Sequence, residues 1–211
     1  MNSGTTVTLD PSQGSWAVSH ARTVVEEVVE SGRKPERPTQ IDPVFEIDRG
    51  AFVTLRKGGD LRGCIGRPTP EQPAIRAIRG AAVDAATDDP RFPPVRPEEL
   101  SAIVTEVSVL TPPDQVEPVT PEAITVGRDG LIVSNGNRGG LLLPQVPVDQ
   151  GWDAKTFLER TCRKAGLDAD CWRHSGVSFE RFSAQIFEEV EPQGEIVHRP
   201  IGGESSSDLY Q

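Results

Sequence analysis

The sequence predicts an α+β fold with a mainly antiparallel, mixed sheet and about three flanking helices. Three observations predict it: two glycine-containing reversals join strand-like segments, five or more strand-like segments occur in all, and three amphipathic helical stretches lie among them in mixed order. A short reversal makes its two strands antiparallel, whereas parallel strands need a long crossover. Strands and helices without a regular alternation are typical of the α+β class.

The first predicted helix covers about residues 15–31. Its valines and alanines recur at three- and four-residue spacing, which forms one apolar stripe. Gly32 follows and can end the helix in a left-handed backbone conformation. Residues 1–14 are polar, so we expect a disordered tail there. Residues 34–43 contain three prolines, which indicates a linker that crosses the surface.

The first predicted hairpin covers residues 50–66 and contains the segment 61–66, Leu-Arg-Gly-Cys-Ile-Gly. A Gly-Gly pair lies at the reversal, where positive φ angles cost glycine little. Because side chains alternate in direction along a strand, we expect Arg62 and Cys64 to share one face.

The next segments read as helix, loop and strand. Residues 69–72 offer an N-cap, a first-turn proline and a capping-box glutamine, and an apolar stripe runs through residues 74–85. Residues 88–90, Asp-Asp-Pro, end this second helix. Residues 91–94, Arg-Phe-Pro-Pro, form a stiff loop because two prolines fix φ. Residues 102–110 alternate in polarity and predict a long strand.

The remainder of the chain predicts a second hairpin, a third helix and a last strand. The hairpin covers residues 131–146 and reverses at an Asn-Gly pair. Asp153 is an N-cap for a helix over residues 154–165. Residues 178–189 alternate as a last strand, and residues 191–211 return to polar composition, so we expect a second disordered tail.

Composition excludes several classes of protein. The 211 residues fit one large domain or two small ones. A formal net charge of −10 without a Lys/Arg run makes nucleic-acid binding an unfavourable hypothesis. The sequence has no secretory h-region and no run of about 18 apolar residues, so we expect no membrane span. We therefore expect a cytoplasmic protein whose three cysteines are reduced.

The cysteines do not indicate a metal site. Cys162 lies on the inner stripe of the third predicted helix, so we interpret it as a small core residue. Cys162, Cys171 and His174 could supply three soft ligands, but zinc sites usually show two paired clusters. The sequence also lacks a Walker loop and a Gly-x-Gly-x-x-Gly after a strand, so we predict no metal and no cofactor.

Six short blocks of the sequence carry a resemblance to a known family. They are residues 61–66, 89–94, 106–110, 143–146, 150–152 and 185–187. In the same order they resemble blocks of the AMMECR domain family, whose prokaryotic members resemble protein A of the AmmeMemoRadiSam system. Six blocks in order are a specific signal, whereas one hexapeptide alone would be a moderate one. The resemblance implies that about residues 15–190 form a single AMMECR-type domain that can consist of two lobes, with a main sheet and a smaller lobe.

Cys64 is the candidate catalytic residue. Catalysis requires a thiolate, and a nearby cation such as Arg62 favours that form. The usual nucleophilic pair also needs a base, normally histidine, and no matched block contains one. The alternative is that Cys64 is a small buried hydrophobe that fixes the packing of the hairpin.

The candidate ligand or partner surface extends beyond the thiol. Guanidinium groups bind carboxylates and phosphates in a bidentate manner, and glycines leave room beside the thiol. A glutamine amide can hold a polar ligand or cap a loop backbone, and both alternatives stay open. The candidate residues are Arg62, Gly63, Gly66, Arg91, Phe92, Gln145, Gln150 and Trp152.

Two functions are compatible with the sequence. The resemblance implies an accessory or interaction component that works with a Memo-like protein and a radical-SAM protein. The alternative is an enzyme that acts on a small anionic substrate in a cleft lined by Arg62, Cys64 and Arg91. In that case the arginines would hold the substrate, the thiol would be a nucleophile or redox group, and Gln145 or Gln150 would orient the substrate.

Overall fold

The structure is a computed structural model that describes residues 8–201, and it confirms the α+β class. The described residues form two compact units, one of residues 8–110 and 185–200 and the other of residues 111–184 with Ile201. In chain order the elements are α1 (Pro11–Ser31), β1 (Ala51–Lys57), β2 (Asp60–Arg67), α2 (Ala74–Thr87), β3 (Ile103–Leu110), β4 (Asp114–Gln115), β5 (Gly130–Asn135), β6 (Arg138–Leu142), α3 (Gln145–Asp149), α4 (Ala154–Lys164), β7 (Ser178–Phe182), β8 (Ala184–Glu189) and β9 (Ile196–Arg199).

The first unit is built on a five-stranded sheet in the order β2-β1-β3-β8-β9. β1 pairs antiparallel with both β2 and β3, and β8 pairs antiparallel with β9. Gly58 and Gly59 form the predicted reversal between β1 and β2, with φ angles of 60° and 86°. The apolar sides of α1 and α2 pack with the inward-facing residues of β1 and β3 in one core. In this strand order, β2 lies at one edge of the sheet.

Helix α1 begins earlier than predicted. The Asp10 side chain accepts the Gln13 backbone N–H, and the Gln13 side chain accepts the Asp10 N–H, both at 2.9 Å. This capping box starts the helix at Pro11, so the predicted tail over residues 1–14 is wrong for residues 11–14, while residues 1–7 lie outside the described residues. The predicted helix end is confirmed, because Gly32 has φ 67°.

Helix α2 begins later than predicted. Its N-cap is Pro73 without a side-chain bond, and residues 69–72 are not helical. The segment before α2 is instead bound to residues 47–49 through its backbone. The Arg49 N–H donates to the Gln72 carbonyl at 3.1 Å, and the Ala74 N–H donates to the Ile47 carbonyl at 2.9 Å. The capping residues were therefore a misleading signal, whereas the apolar stripe of the helix is buried as predicted.

The predicted C-terminal tail contains a strand. Ile196–Arg199 forms β9, so the expectation of a tail over residues 191–211 is wrong for this part, and residues 202–211 lie outside the described residues. The Arg199 guanidinium contacts the carboxylates of Glu106 at 2.7 Å and Glu188 at 3.1 Å. Both carboxylates are buried, so β9 supplies the cation of a buried ion pair, although the polar composition of the segment is typical of a tail.

Strand β8 is tied to α1 by a second buried ion pair. Arg22 of α1 donates to both carboxylate oxygens of Glu189 and to the Ile103 carbonyl. Arg22 and Glu189 are 7% and 2% exposed, so neither charge can be hydrated if the other is removed.

The second unit contains a four-stranded sheet in the order β4-β7-β5-β6, together with α3 and α4. The Asn-Gly reversal is confirmed, with Gly136 at φ 57° between β5 and β6. The predicted strand to residue 146 is too long, because Gln145–Asp149 is helical. Asp153 caps α4 through a bond from the Thr156 N–H to its Oδ1 at 2.7 Å, as predicted.

The single strand predicted over residues 178–189 is two strands. It is interrupted at Ser183, where the Ser183 N–H donates to the Thr111 hydroxyl and the Thr111 N–H donates to the Ser183 carbonyl, both at 2.9 Å. β7 before the break pairs in the four-stranded sheet, and β8 after it pairs in the five-stranded sheet. Alternating polarity continues through the break, which is why the sequence does not reveal it.

Cys162 and Cys171 form a disulfide in the second unit. The last turns of α4 and the 3₁₀ helix Cys171–Arg173 bring the two Cα atoms to 5.9 Å, which is within disulfide range. The prediction of reduced thiols is therefore wrong for these two residues, although Cys162 is buried in the core as predicted. Within residues 8–201, no helix is long and apolar enough to cross a membrane.

Candidate functional site

The segment 61–66 contains a β-bulge. Leu55 of β1 pairs with Gly63, but the next residue, Arg56, pairs with Leu61. Arg62 is thus an extra residue without a partner on β1, and an extra residue interrupts the alternation of side chains along a strand.

The bulge places Arg62 and Cys64 on opposite faces of the sheet. Cys64 pairs with Thr54, and its Sγ lies 3.5 Å from the Thr54 hydroxyl. Arg62 instead joins Lys57 at the carboxylate of Glu99. Thr54 and Lys57 are three positions apart in a strand that pairs regularly with β3, so their side chains point to opposite faces. The expectation of a shared face is wrong, and its physical cause is the bulge.

Arg62 is bound by groups of its own chain. Its Nε and one terminal nitrogen donate to the two carboxylate oxygens of Glu99 at 3.1 and 2.9 Å. The terminal nitrogens also donate to the carbonyls of Pro93 and Pro94 at 2.9 and 3.2 Å. Arg62 lowers the pKa of Glu99 to about 2, with help from Lys57 and the Arg96 N–H. This guanidinium therefore fixes the loop that follows α2.

Asp89 connects that loop to the edge strand. Its Oδ2 accepts the backbone N–H of Cys64 at 2.8 Å and a guanidinium N–H of Arg91 at 2.7 Å. Its Oδ1 accepts the backbone N–H and the Nε–H of Arg91 at 3.0 and 2.9 Å. The Arg91 hydrogen bonds, followed by the Cys64 N–H, hold the pKa of this buried carboxyl below its usual value.

Arg91 completes a clamp on the Cys64 backbone. While Asp89 accepts the Cys64 N–H, a terminal nitrogen of Arg91 donates to the Cys64 carbonyl at 2.9 Å. Asp89 and then Cys64 raise the pKa of Arg91. The Arg91 side chain remains 50% exposed and lies over the Phe92 ring at 5.6 Å. Segments 61–66 and 89–94, which are distant in the sequence, thus form one site.

Two predicted site residues have packing roles. A Cβ on Gly63 would lie 2.2 Å from the Ala85 carbonyl oxygen, so only glycine lets the last turns of α2 approach β2 this closely. A Cβ on Gly66 would lie 2.1 Å from the ring of Phe52, its cross-strand partner. Both glycines therefore fix the shape of the edge strand.

Cys64 itself is partly exposed and has no histidine partner among the described residues. Its sulfur contacts the Thr54 hydroxyl, and Thr54 pairs across the sheet with Glu106. Glu106 is buried and bound to Arg199, so it is not available as a free base. Within residues 8–201, Cys64 therefore has no base paired with its thiol, and thiol hydrolases depend on such a pair.

The three remaining candidates belong to the second unit. Gln145 is the first residue of α3, and its buried Oε1 has no hydrogen-bond partner among residues 8–201. Gln150 is the exposed C-cap of the same helix. Trp152 packs against the core of the unit, with Arg160 over its ring at 5.4 Å. Packing against this core explains the position of Trp152, whereas the Oε1 atom of Gln145 is buried without a hydrogen-bond donor among the described residues.

The residues that sequence reasoning missed are Asp89 and Glu99. Asp89 begins the matched block 89–94, but the sequence gives it no role beyond the helix-ending Asp-Asp-Pro, and Glu99 is one acid in a charged stretch. Their partners are 25 and 37 residues away in the sequence, so no local sequence pattern indicates these contacts.

The part of the chain that the structure describes has no group of three or more His, Cys, Asp or Glu residues that could hold a metal ion.

Fold and site together define an α+β protein of two compact units, in which a bulged, glycine-containing edge strand is clamped by an Asp-Pro-Arg-Phe loop. The AMMECR1 family model matches residues 18–187. The chain belongs to the AMMECR1 family.

Relatives and a solved structure agree with this assignment. Protein MJ0810 of Methanocaldococcus jannaschii is 49% identical over 195 residues, covering 90% of this chain and 96% of that protein. A protein of Thermococcus gammatolerans is 49% identical over 196 residues, covering 89% of this chain and 96% of its own length. The crystal structure of uncharacterized protein PH0010 from Pyrococcus horikoshii matches with a TM-score of 0.84 and 48% identity, over 89% of this chain and 96% of that chain.

Proposed function

We propose that this protein is a cytoplasmic accessory or interaction component that works with a Memo-like protein and a radical-SAM protein. One observation carries the proposal: residues 90–94, which follow the buried Asp89, form an exposed loop whose shape is fixed from several sides. Arg91, Pro93 and Pro94 are exposed, and Phe92 is half-buried beside them. We propose this loop as the partner surface.

The loop has the properties of a preorganised contact surface. Asp89 and the Cys64 carbonyl fix Arg91, and Arg62 fixes the carbonyls of Pro93 and Pro94. A segment that is already ordered loses little conformational entropy when a partner binds, so more of the contact energy appears as affinity. Arginine and aromatic side chains are also enriched among the residues that dominate protein interfaces.

In this proposal the candidate residues of the first unit have different tasks. Arg91 and Phe92 contact the partner. Arg62, Gly63 and Gly66 hold the edge strand and the loop in place, which agrees with their bound or tightly packed positions. The thiol of Cys64 is a neighbour of the contact surface.

Co-purification tests the proposal. The tagged chain would be co-expressed with the Memo-like and the radical-SAM protein encoded in the same genome. We expect wild-type protein and Arg33→Ala to retain a partner and Arg91→Ala/Phe92→Ala to lose it. Arg33 is a matched control because its exposed side chain makes no hydrogen bond or ion pair within residues 8–201. No retention by wild-type protein, or equal retention by all three, would refute the proposal.

An enzyme that acts on a small anionic substrate is the second candidate. Its support is that Cys64 is partly exposed and that Arg91 lies beside it, while Arg62 is bound to Glu99 on the other face. Metabolite profiles of a deletion strain complemented with wild-type protein or Cys64→Ser separate the two functions. Equal rescue of the profile excludes thiol chemistry, whereas failure of Cys64→Ser with intact partner retention favours the enzyme.

A further inference from the structure

A groove of about 640 Å³ lies beside the proposed contact loop in the first unit. We propose that it binds an acidic peptide segment that carries an apolar side chain. The inference rests on the proposed function, because it assigns the chemistry of the partner segment that would meet the loop.

The groove has one apolar wall. Phe92 and Pro93 form it, and the Arg91 guanidinium lies over the Phe92 ring. Because the Pro93 carbonyl is bound by Arg62, the wall has a fixed position. A partner side chain that packs here gains the burial of apolar surface against a prearranged ring.

The floor of the groove is electrically balanced. Arg62 and Glu99 form a bidentate ion pair there, with side chains only 12% and 17% exposed. Their hydrogen-bonding groups are used by each other and by the loop carbonyls, so the floor offers few free donors or acceptors. Binding specificity must therefore come from the wall and the rim.

Two exposed cations, Arg96 and Lys57, lie at the rim of the groove. The Arg96 side chain is exposed and makes no hydrogen bond or ion pair among the described residues. Lys57 is 44% exposed and contributes one bond to Glu99, which leaves further N–H groups directed to solvent. Glu98 is the one unpaired acid among the lining residues. In a chain of net charge −10, this local excess of cations is complementary to carboxylates.

The form of the groove favours a peptide over a small molecule. Its volume is within the range of ligand sites, but sites for small molecules bury most of the ligand surface. Four of the lining residues are exposed, so a small ligand would remain largely in water. The exposed four are Lys57, Pro93, Arg96 and Glu98.

Fluorescence anisotropy of the purified full chain tests the inference without a partner protein. The probe is a fluorescein-labelled pentapeptide with a central phenylalanine and two acidic residues on each side. A peptide with lysines in place of the acids and one with alanine in place of phenylalanine are the comparison probes. We expect the acidic phenylalanine peptide to bind most tightly, and its affinity to fall at about 0.5 M salt, where exposed charges are screened.

Variants of the protein locate the binding. Arg96→Glu and Phe92→Ala should each weaken binding of the acidic probe about fivefold or more, since one reverses a rim charge and the other removes the wall. Arg33→Glu makes the same charge change outside the groove and should bind like wild type. Circular dichroism of each variant confirms that it is folded. Equal affinity for all three probes, or an equal affinity of wild type and Arg96→Glu, would overturn the inference.

The two proposals fail separately. If the probe binds as expected but neither predicted partner is retained, the groove binds acidic peptides but the proposed Memo-like and radical-SAM partners are wrong. If partner retention depends on Phe92 while no peptide binds, the accessory function stands and the peptide-binding groove is overturned.

Discussion

Asp89 accepts the backbone N–H of Cys64 at 2.8 Å, and this bond joins the loop after α2 to the edge strand β2. An edge strand presents unpaired backbone groups that invite other strands to pair. At Cys64 the protein satisfies both of them internally, the N–H with Asp89 and the carbonyl with Arg91. The same two residues therefore protect the sheet edge and shape the proposed contact surface.

Asp89→Asn should destabilise the first unit. The carboxylate accepts bonds from the Cys64 N–H and from Arg91 while it is 4% exposed, and bonds to a buried charge contribute about 1.5–3 kcal/mol. We expect a loss of about 2 kcal/mol in the free energy of unfolding by urea. Asp88→Asn, at the neighbouring exposed position, is the control and should leave the midpoint nearly unchanged.

The Asp89 contribution should depend on pH with a defined sign. Its pKa is lower in the folded protein than in the unfolded chain, so the stabilisation is complete above the unfolded pKa of about 3.9. It should decrease as the pH falls below that value toward the lower folded pKa. Unfolding free energies measured from neutral pH down to pH of about 3 should show the gap between wild type and Asp89→Asn narrowing. A constant gap would contradict the assignment.

Arg62→Lys should be destabilising although the charge is kept. Lysine cannot form the bidentate pair with Glu99 and also reach the carbonyls of Pro93 and Pro94. We expect a loss of about 1–2 kcal/mol, measured by urea unfolding. Arg33→Lys, at an exposed arginine without side-chain partners in the described part of the chain, should change the stability by less than about 0.5 kcal/mol.

Gly63→Ala should disturb the packing of α2 on β2. The new methyl group would lie 2.2 Å from the Ala85 carbonyl oxygen, and backbone on both sides must shift to admit it. We expect a loss of about 1–3 kcal/mol, as for other overpacked sites. Gly139→Ala is a matched control in a strand, because the nearest atom to its Cβ would be 3.7 Å away. Equal midpoints for the two variants in thermal unfolding would refute the close approach.

The disulfide makes a testable distinction among the three cysteines. Under native, non-reducing conditions, alkylation followed by mass spectrometry should modify Cys64 and leave Cys162 and Cys171 linked. Because the bridge closes a loop of sequence separation 9, its removal in Cys162→Ala/Cys171→Ala should cost about 2–3 kcal/mol. Added reductant should lower the stability of wild type but not of this double variant.

The parts of the fold that the sequence predicts correctly are set by local geometry. Gly58-Gly59 and Asn135-Gly136 identify both hairpins because a positive φ is a property of a few residues. The apolar stripe of α2 is also predicted correctly, because it depends only on the spacing of residues within the helix. The first residue of α2 is predicted wrongly, because the Gln72 and Ala74 backbone groups bond to residues 47–49 instead of forming a first helical turn.

The site was less predictable than the fold. The sequence identifies Arg62, Cys64, Arg91 and their two segments, and the structure brings these segments together. The bulge depends on how β2 registers with β1, and strand register is a relation between segments that composition does not encode. For this reason the sequence predicts the wrong face of the sheet for the Arg62 side chain.

The pairing of Arg199 with Glu106 and Glu188 affects how shortened versions of the protein should be cloned. The family match stops at residue 187, which invites an expression boundary there. Such a boundary deletes Glu189 and Arg199, so the buried charges of Arg22 and Glu106 lose these ion-pair partners. A recombinant fragment intended for crystallisation should therefore extend at least through β9.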